Sequence, residues 1–516
     1  MSRRDFRTVN GSAGSSSLVR AGLQNAGWSS VDYAIVPLLW LLTTPYFIQS
    51  LGPDQYGIWM LVNAFVGFSG MANLGLGDAT IRFIAQYRAS SDDKAIANVI
   101  RLTFMVYAVL CTVLPVLVCL SAPLLVSDVF SVHQDSAAMA VTALRVGGVA
   151  IAIRLLDSIP TSILHGYERF DLSAKIRIPT AILTMMLNVL LVFLGYSVVE
   201  LTVASVTILV AGALVKAAFA KRLLSPAFAF SGTSVRSNSR EVTSFAVYSW
   251  LQAVGGTMLG QADRLLVASL IGTRTLAYYA ICVQFSQQIH ALLAQALSFL
   301  LPMVSALRID GDTGRISRTY FASANIVVVV ATILGIPAFL LSHEILETWI
   351  GPSFASEAEL LFRAFVVVFT LLSTSIVPHY IMNALGFHRL NTILALSGGI
   401  VITLATWWLV PAMGMIGAAL ARFLSLPISV VGRTILHFKV IDDKRWNAGL
   451  ILFLPILLLF ALLGFLQELS ILEGLNGWAR AGVVAMLTLV GSGLVGVFLL
   501  AFNRKGNGTT DSPTKA

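Results

Sequence analysis

The stretch MLGQADRLLVASLIG, residues 258–272, sets Asp263 and Arg264 inside an otherwise apolar run. Asp32, Arg145, Arg154, Asp157 and Arg422 stand in equally apolar surroundings. Arginine there offers planar, permanently charged donors suited to a phosphate or carboxylate, and aspartate offers a seat for a cation or a proton. Farther along, Gln284, Gln287, Gln288 and Gln295 follow one another. Amides both donate and accept, as a hydroxyl-rich ligand requires. His290 beside them is a candidate proton carrier, although a lone histidine on an apolar helix is more often simply packed. No phosphate loop, GxSxG or HExxH motif is present, and Cys111, Cys119 and Cys282 lack metal-ligand spacing. The groups are those of a binding path, and no catalytic residue or metal site is expected.

These side chains need elements that hold them at depth. Of 516 residues 57% are hydrophobic and 11% charged, whereas soluble domains carry roughly 25% charged residues. Apolar runs long enough to cross a bilayer as helices recur throughout, and runs such as NVLLVFLG and VVVVATILGI do not alternate as barrel strands would. The expectation is an all-α polytopic membrane protein with about fourteen transmembrane helices. They lie near 26–50, 56–76, 96–120, 137–164, 174–195, 198–220, 243–271, 276–306, 318–341, 357–383, 391–410, 414–437, 448–466 and 479–502. With the amino terminus inside, most of the 34 Lys and Arg fall on the cytosolic side, including five counted after span 6 from Lys216 onward. The outer loops keep only Arg274 and Arg480. The net charge of +9 therefore reports topology and contact with anionic lipid, not nucleic-acid binding.

The two halves repeat. At an offset of 220 positions GYERFD, from Gly166, meets GFHRLN, from Gly386, and LGPDQYGIW meets IGTRTLAYY. Six spans separate the copies, so both keep one orientation and the repeat is parallel. The expected organisation is a cytosolic tail 1–22, a first six-helix lobe 23–220, a cytosolic loop 221–242, a second lobe 243–437, two appended helices in 438–502 and a cytosolic tail 503–516. The first 22 residues lack an apolar core, so no cleavable signal peptide is expected. Two such lobes can open a shared cavity to either side of a membrane by rocking.

On an α-helical wheel Ser249, Gln252, Gly256, Gly260 and Asp263 share one face within about 80°, with Arg264 at its edge. A charge so deep costs on the order of 2.5–3.5 kcal/mol, so it faces a partner or a wet cavity. Either this face is a cavity wall, or Asp263 and Arg264 form an ion pair that seats the helix. In the first half, Asp32 corresponds to Gln252 and Thr43 to Asp263. Arg145 and Arg154 point to opposite sides of span 4, and Arg154 is preferred as cavity residue because Asp157 follows at i+3. The glutamines share a face within roughly 100°, either as a sugar-binding surface or as a seam between helices. Ion coupling is assigned to Asp32, Asp263 and His290.

SLGPDQYGIW, NLGLGDATIRFIAQY and QADRLLVASLIGTRTLAYYA resemble the polysaccharide-exporting (Wzx-type) flippases of the multidrug/oligosaccharidyl-lipid/polysaccharide superfamily. The resemblance covers 20 to about 440. It implies two six-helix lobes around a central cavity, expected in the bacterial inner membrane, where the charge asymmetry puts both termini in the cytosol. It also implies transfer of an undecaprenyl-diphosphate-linked oligosaccharide from the cytosolic to the outer leaflet, coupled to an H+ or Na+ gradient and serving a polysaccharide polymerase and export machinery. The alternatives are a multidrug or cation antiporter of the same superfamily, against which the deep arginines count, and a membrane glycosyl polymerase, which lacks a sizeable catalytic loop.

Overall fold

The computed structural model describes residues 15–224, 239–309, 312–438, 453–468 and 477–507, with the side chains of 15–34, 239–241, 244, 468, 477–478 and 500–507 outside the description. Among the described residues the regular structure is entirely helical. In the first part of the chain the helices are α1 (Ser15–Gly67), α2 (Ser69–Ala72), α3 (Leu76–Ala89), α4 (Asp93–Leu124), α5 (Gln134–Gly166), α6 (Phe170–Phe193), α7 (Val198–Leu223), α8 (Ser239–Thr257) and α9 (Asp263–Ile271). Then come α10 (Thr273–Ala296), α11 (Leu300–Ile309), α12 (Thr313–Leu340), α13 (Ser342–Trp349), α14 (Pro352–Ser373), α15 (Ile376–Ala384), α16 (His388–Phe423), α17 (Leu426–Leu436), α18 (Leu454–Glu468) and α19 (Gly477–Asn507).

Among the described residues ten helices are long and apolar enough to cross a membrane. Two of them, Ile35–Ala72 and His388–Leu436, each run through two expected spans. Non-helical glycines inside α1 and α16, Gly52 at φ 75° and Gly414 at φ 59°, turn the chain between those spans. Such left-handed backbone is open to glycine at no steric cost. The segment expected as span 7 is outside the set of ten, since Gln252, Asp263 and Arg264 dilute its apolar residues. The segment expected as span 13 is a shorter apolar helix, Leu454–Gln467.

Local signals start these helices where the physics requires. Ser197 and Glu200 form a capping box at the start of α7. Asp92 accepts from the Ala95 amide at 2.9 Å and Asp312 from the Arg315 amide at 2.8 Å, capping α4 and α12. Asp92 and Asp312 are 220 positions apart, the offset of the sequence repeat. So are Gly52 (φ 75°, ψ 165°) and Gly272 (φ 93°, ψ 166°), which share one backbone conformation. The duplication is therefore written into caps and turns as well as into residues.

Two compact units divide the chain, Met1–Ala277 and Tyr278–Ala516. In the first, α5 is central: α1, α3, α4, α6 and α7 all pack on it, and α8 packs on α3. The unit thus runs past the expected loop 221–242 and takes in α8 and α9. In the second, α12 packs with α14, α15 and α19, and α14 with α16.

Candidate functional site

Small residues bring the helices of the first unit close enough to set charges side by side. At Gly147 an added Cβ would lie 3.0 Å from Val62, and at Gly148 2.8 Å from Val118, so α1 and α4 press directly on the α5 backbone. Two turns on, α5 carries Arg154 and Asp157. Arg154 is exposed, and among the described residues it makes no hydrogen bond or ion pair, although the charge of Asp157 acts on it. It lies about 18 Å along the helix from Gly166, at 1.5 Å per residue. The expected Arg154–Asp157 pair is not formed. Asp157 instead accepts from Lys216 Nζ at 2.6 Å, with Thr161 Oγ1 3.4 Å from the same nitrogen. By sequence Lys216 counts with the cytosolic basic residues. The structure places Lys216 within α7, which remains helical to Leu223, and buries it against α5. Arg145, on the opposite side of α5, is exposed and donates from Nε to the Cys119 carbonyl at 3.3 Å.

The expected face of span 7 is split. A π-turn, Met258–Ala262, separates α8 from α9. A π-turn inserts one residue into the helical register and so rotates the residues beyond it by about 100°. Before it, Gln252 is exposed, and a Cβ at Gly256, or at Gly260 within the turn, would meet nothing within 4 Å. After it, Asp263 is turned off that open face and fully buried, its Oδ1 accepting from the Arg264 amide at 2.9 Å. Asp263 therefore lies buried within a helix that runs unbroken through the π-turn, and not on the open face. Arg264 remains half-buried, near the Tyr56 hydroxyl.

Both ends of this segment are closed against the first unit. Ser131 donates from its amide to the Ala268 carbonyl at 3.2 Å, and from Oγ to the Ser269 carbonyl at 3.0 Å. A Cβ at Gly57 would run into the Thr273 carbonyl, and one at Gly75 into the Ala246 carbonyl. Trp250 Nε1 donates to the Met71 carbonyl at 2.8 Å.

On α10, Gln287 is exposed while Gln284, Gln288 and Gln295 are half-buried. Gln288 Nε2 donates to the Gln284 carbonyl at 3.0 Å, so part of this expected surface is spent within the helix. His290 Nδ1 is buried without a hydrogen bond, and the charge of His379, exposed on α15, acts on it. Arg422 is buried, its guanidinium 5.5 Å from the Phe369 ring centroid, so it packs against an aromatic face instead of lining open space. The side chain of Asp32 lies outside the described residues.

Three polar residues escape the sequence reading. Lys216 and His379 are the first two. The third is Asp78, exposed in the first turn of α3, about 16 Å of helix before Ala89. Its signal is present in the letters: Asp78 stands inside NLGLGDATIRF, but a span ending at 76 leaves it in a loop. Among the described residues no group of His, Cys, Asp and Glu is arranged to hold a metal ion.

Comparison with known proteins gives a family model described as "Polysaccharide biosynthesis protein", matching residues 23–308. A "Putative O-antigen transporter" of Shigella flexneri is 19% identical over 406 residues, covering 77% of this chain and 93% of the relative. A "Probable flippase AglR" of Haloferax volcanii is 25% identical over 401 residues, covering 76% of this chain and 78% of the relative. Among solved structures, the lipid II flippase MurJ in an inward closed conformation superposes with a TM-score of 0.69 at 14% identity, over 94% of this chain and 99% of that one.

Proposed function

From the premise that the chain belongs to the polysaccharide biosynthesis protein family, as a flippase-like multi-pass transporter and not an enzyme, we propose that its cargo is an undecaprenyl-diphosphate-linked oligosaccharide. In this reading the protein moves the cargo from the cytosolic to the outer leaflet of the bacterial inner membrane. Both termini stay in the cytosol, and a proton or sodium gradient supplies the drive.

The observation that carries this is Arg154, exposed in an apolar helix and, among the described residues, without an ion pair. A guanidinium so placed fits an anion that comes and goes, and a lipid diphosphate is such an anion. The polar part of that cargo cannot enter hydrocarbon unaided, since each unpartnered polar group costs several kcal/mol. Gln252 and the open flank of Gly256 and Gly260 offer a polar, uncrowded surface for sugars, and Gln287 another. The isoprenoid tail stays in the bilayer, and no bond is broken. Asp78 favours a second reading, a cation antiporter, because an exposed carboxylate in the first turn of α3 suits a cationic drug.

Deleting the gene separates the two. Loss of surface polysaccharide, with lipid-linked repeat units retained on the cytosolic leaflet, is the expected result. Normal polysaccharide with hypersensitivity to cationic drugs would replace the flippase by the antiporter.

A further inference from the structure

The flippase reading needs Arg154 but gives no task to its neighbours Asp157 and Lys216. Lys216 Nζ is held by one carboxylate oxygen of Asp157 at 2.6 Å and lies 3.4 Å from the Thr161 hydroxyl. The other oxygen of Asp157, Oδ1, is buried and has no hydrogen-bond partner. Arg154, one turn earlier on the same helix, feels that carboxylate yet does not pair with it. Among the described residues one anion thus serves two cations, and the group carries an uncompensated positive charge inside the candidate span. Packing alone does not explain such an arrangement: replacing a buried ion pair by apolar residues of similar volume is often neutral or stabilising. A carboxylate bound through one oxygen, beside an unanswered arginine, is what a displaceable counter-ion looks like before its competitor arrives.

We propose that Lys216 is the second cation of an anion site in the first unit, with Asp157 as its resident counter-ion, and that the site takes the diphosphate of a lipid-linked cargo. The proposal rests on the flippase reading for the cargo class. A diphosphate meeting Arg154 offers Lys216 a partner with more charge and more acceptor oxygens than one carboxylate. Lys216 shifts to it and Asp157 gives way. On release Asp157 takes Lys216 back, so the emptied site never holds two bare cations and does not trap its cargo. Lys216 is a binding residue in this scheme and Asp157 sets how tightly it binds.

The test measures binding of farnesyl diphosphate to the purified full-length chain in detergent. Lys216→Met is expected to weaken binding tenfold or more, and Asp157→Asn to bind at least as tightly as wild type because the competitor for Lys216 is gone. Inorganic pyrophosphate should compete in the wild type and compete far less in Lys216→Met. Should Lys216→Met alone misfold, the double variant Lys216→Met/Asp157→Leu removes the charge without leaving an unpaired carboxylate, and the same tenfold loss is expected of it. Equal binding by wild type and by a folded variant without Lys216 would overturn the proposal, as would loss of binding in Asp157→Asn or failure of pyrophosphate to compete. In each of those cases a wild type that still binds farnesyl diphosphate leaves the flippase reading standing. A wild type that binds none removes the cargo class, and the inference falls with it.

Discussion

A guanidinium in a transmembrane helix has to be answered by something, and at Arg154 none of the described residues supplies the answer. Because no partner is lost, Arg154→Gln should leave the melting temperature near wild type, within the roughly 0.5 kcal/mol typical of exposed sites, while abolishing polysaccharide export. Arg154→Lys keeps the charge but loses the planar fork, and should export at an intermediate rate. Asp263 is the opposite case. Buried, and accepting from the Arg264 amide, it should cost about 1–3 kcal/mol of stability when changed to Ala, with export falling only as folded protein falls. Thermal melting beside an export assay separates the two behaviours, and export lost at wild-type stability in Asp263→Ala would return Asp263 to the path. Arg154 is legible because a charge in an apolar run is conspicuous in one dimension. Its lack of a partner is not, since the choice of Asp157 between Arg154 and Lys216 depends on how α7 is rotated against α5. Lys216 is hidden for a related reason: KAAFAKR resembles the polar end of a span, and only the continued helix to Leu223 buries it.

At the scale of elements, the π-turn at Met258–Ala262 decides which residues of span 7 face open space. A wheel drawn at constant pitch places Gln252, Gly256, Gly260 and Asp263 together. The extra residue keeps the first three together and removes the fourth. Nothing in MLGQA announces that insertion, whereas the 220-residue repeat is plain in the letters and reappears in the matched dihedrals of Gly52 and Gly272. Gly256→Ala should be neutral or stabilising by up to about 1 kcal/mol, since helix propensity improves and nothing is struck. Gly256→Trp should fold and yet block export, if the open flank is the path; normal export by that variant would show the flank to be mere lipid contact. Gly57→Ala should act differently, because its Cβ would meet the Thr273 carbonyl where span 7 closes on the first unit. Export should fall while the protein still reaches the membrane, and cysteine cross-linking between Ser131→Cys and Ser269→Cys should report the lost closure. Unchanged cross-linking in Gly57→Ala would count against a role for that contact.

For the molecule as a whole, composition and periodicity suffice for a multi-pass helical protein, and the family match and the shared fold agree with it. The compact units are less legible: α8 and α9 come after the expected lobe border in sequence yet pack with the first unit, and a linear charge count cannot foresee that docking. Under the flippase reading a polar headgroup crosses along a surface that presents Arg154, exposed and, among the described residues, without an ion pair. The most direct measurement reconstitutes the full chain in vesicles holding a fluorescent undecaprenyl-diphosphate oligosaccharide, imposes a proton or sodium gradient, and tracks how much fluorescence an external quencher reaches. Wild-type protein should bring the inner-leaflet pool within reach, and Arg154→Gln, equally folded, should leave only the lipid already outside accessible. An inner pool that stays protected with wild-type protein, or that is released as fast by Arg154→Gln, would contradict the account.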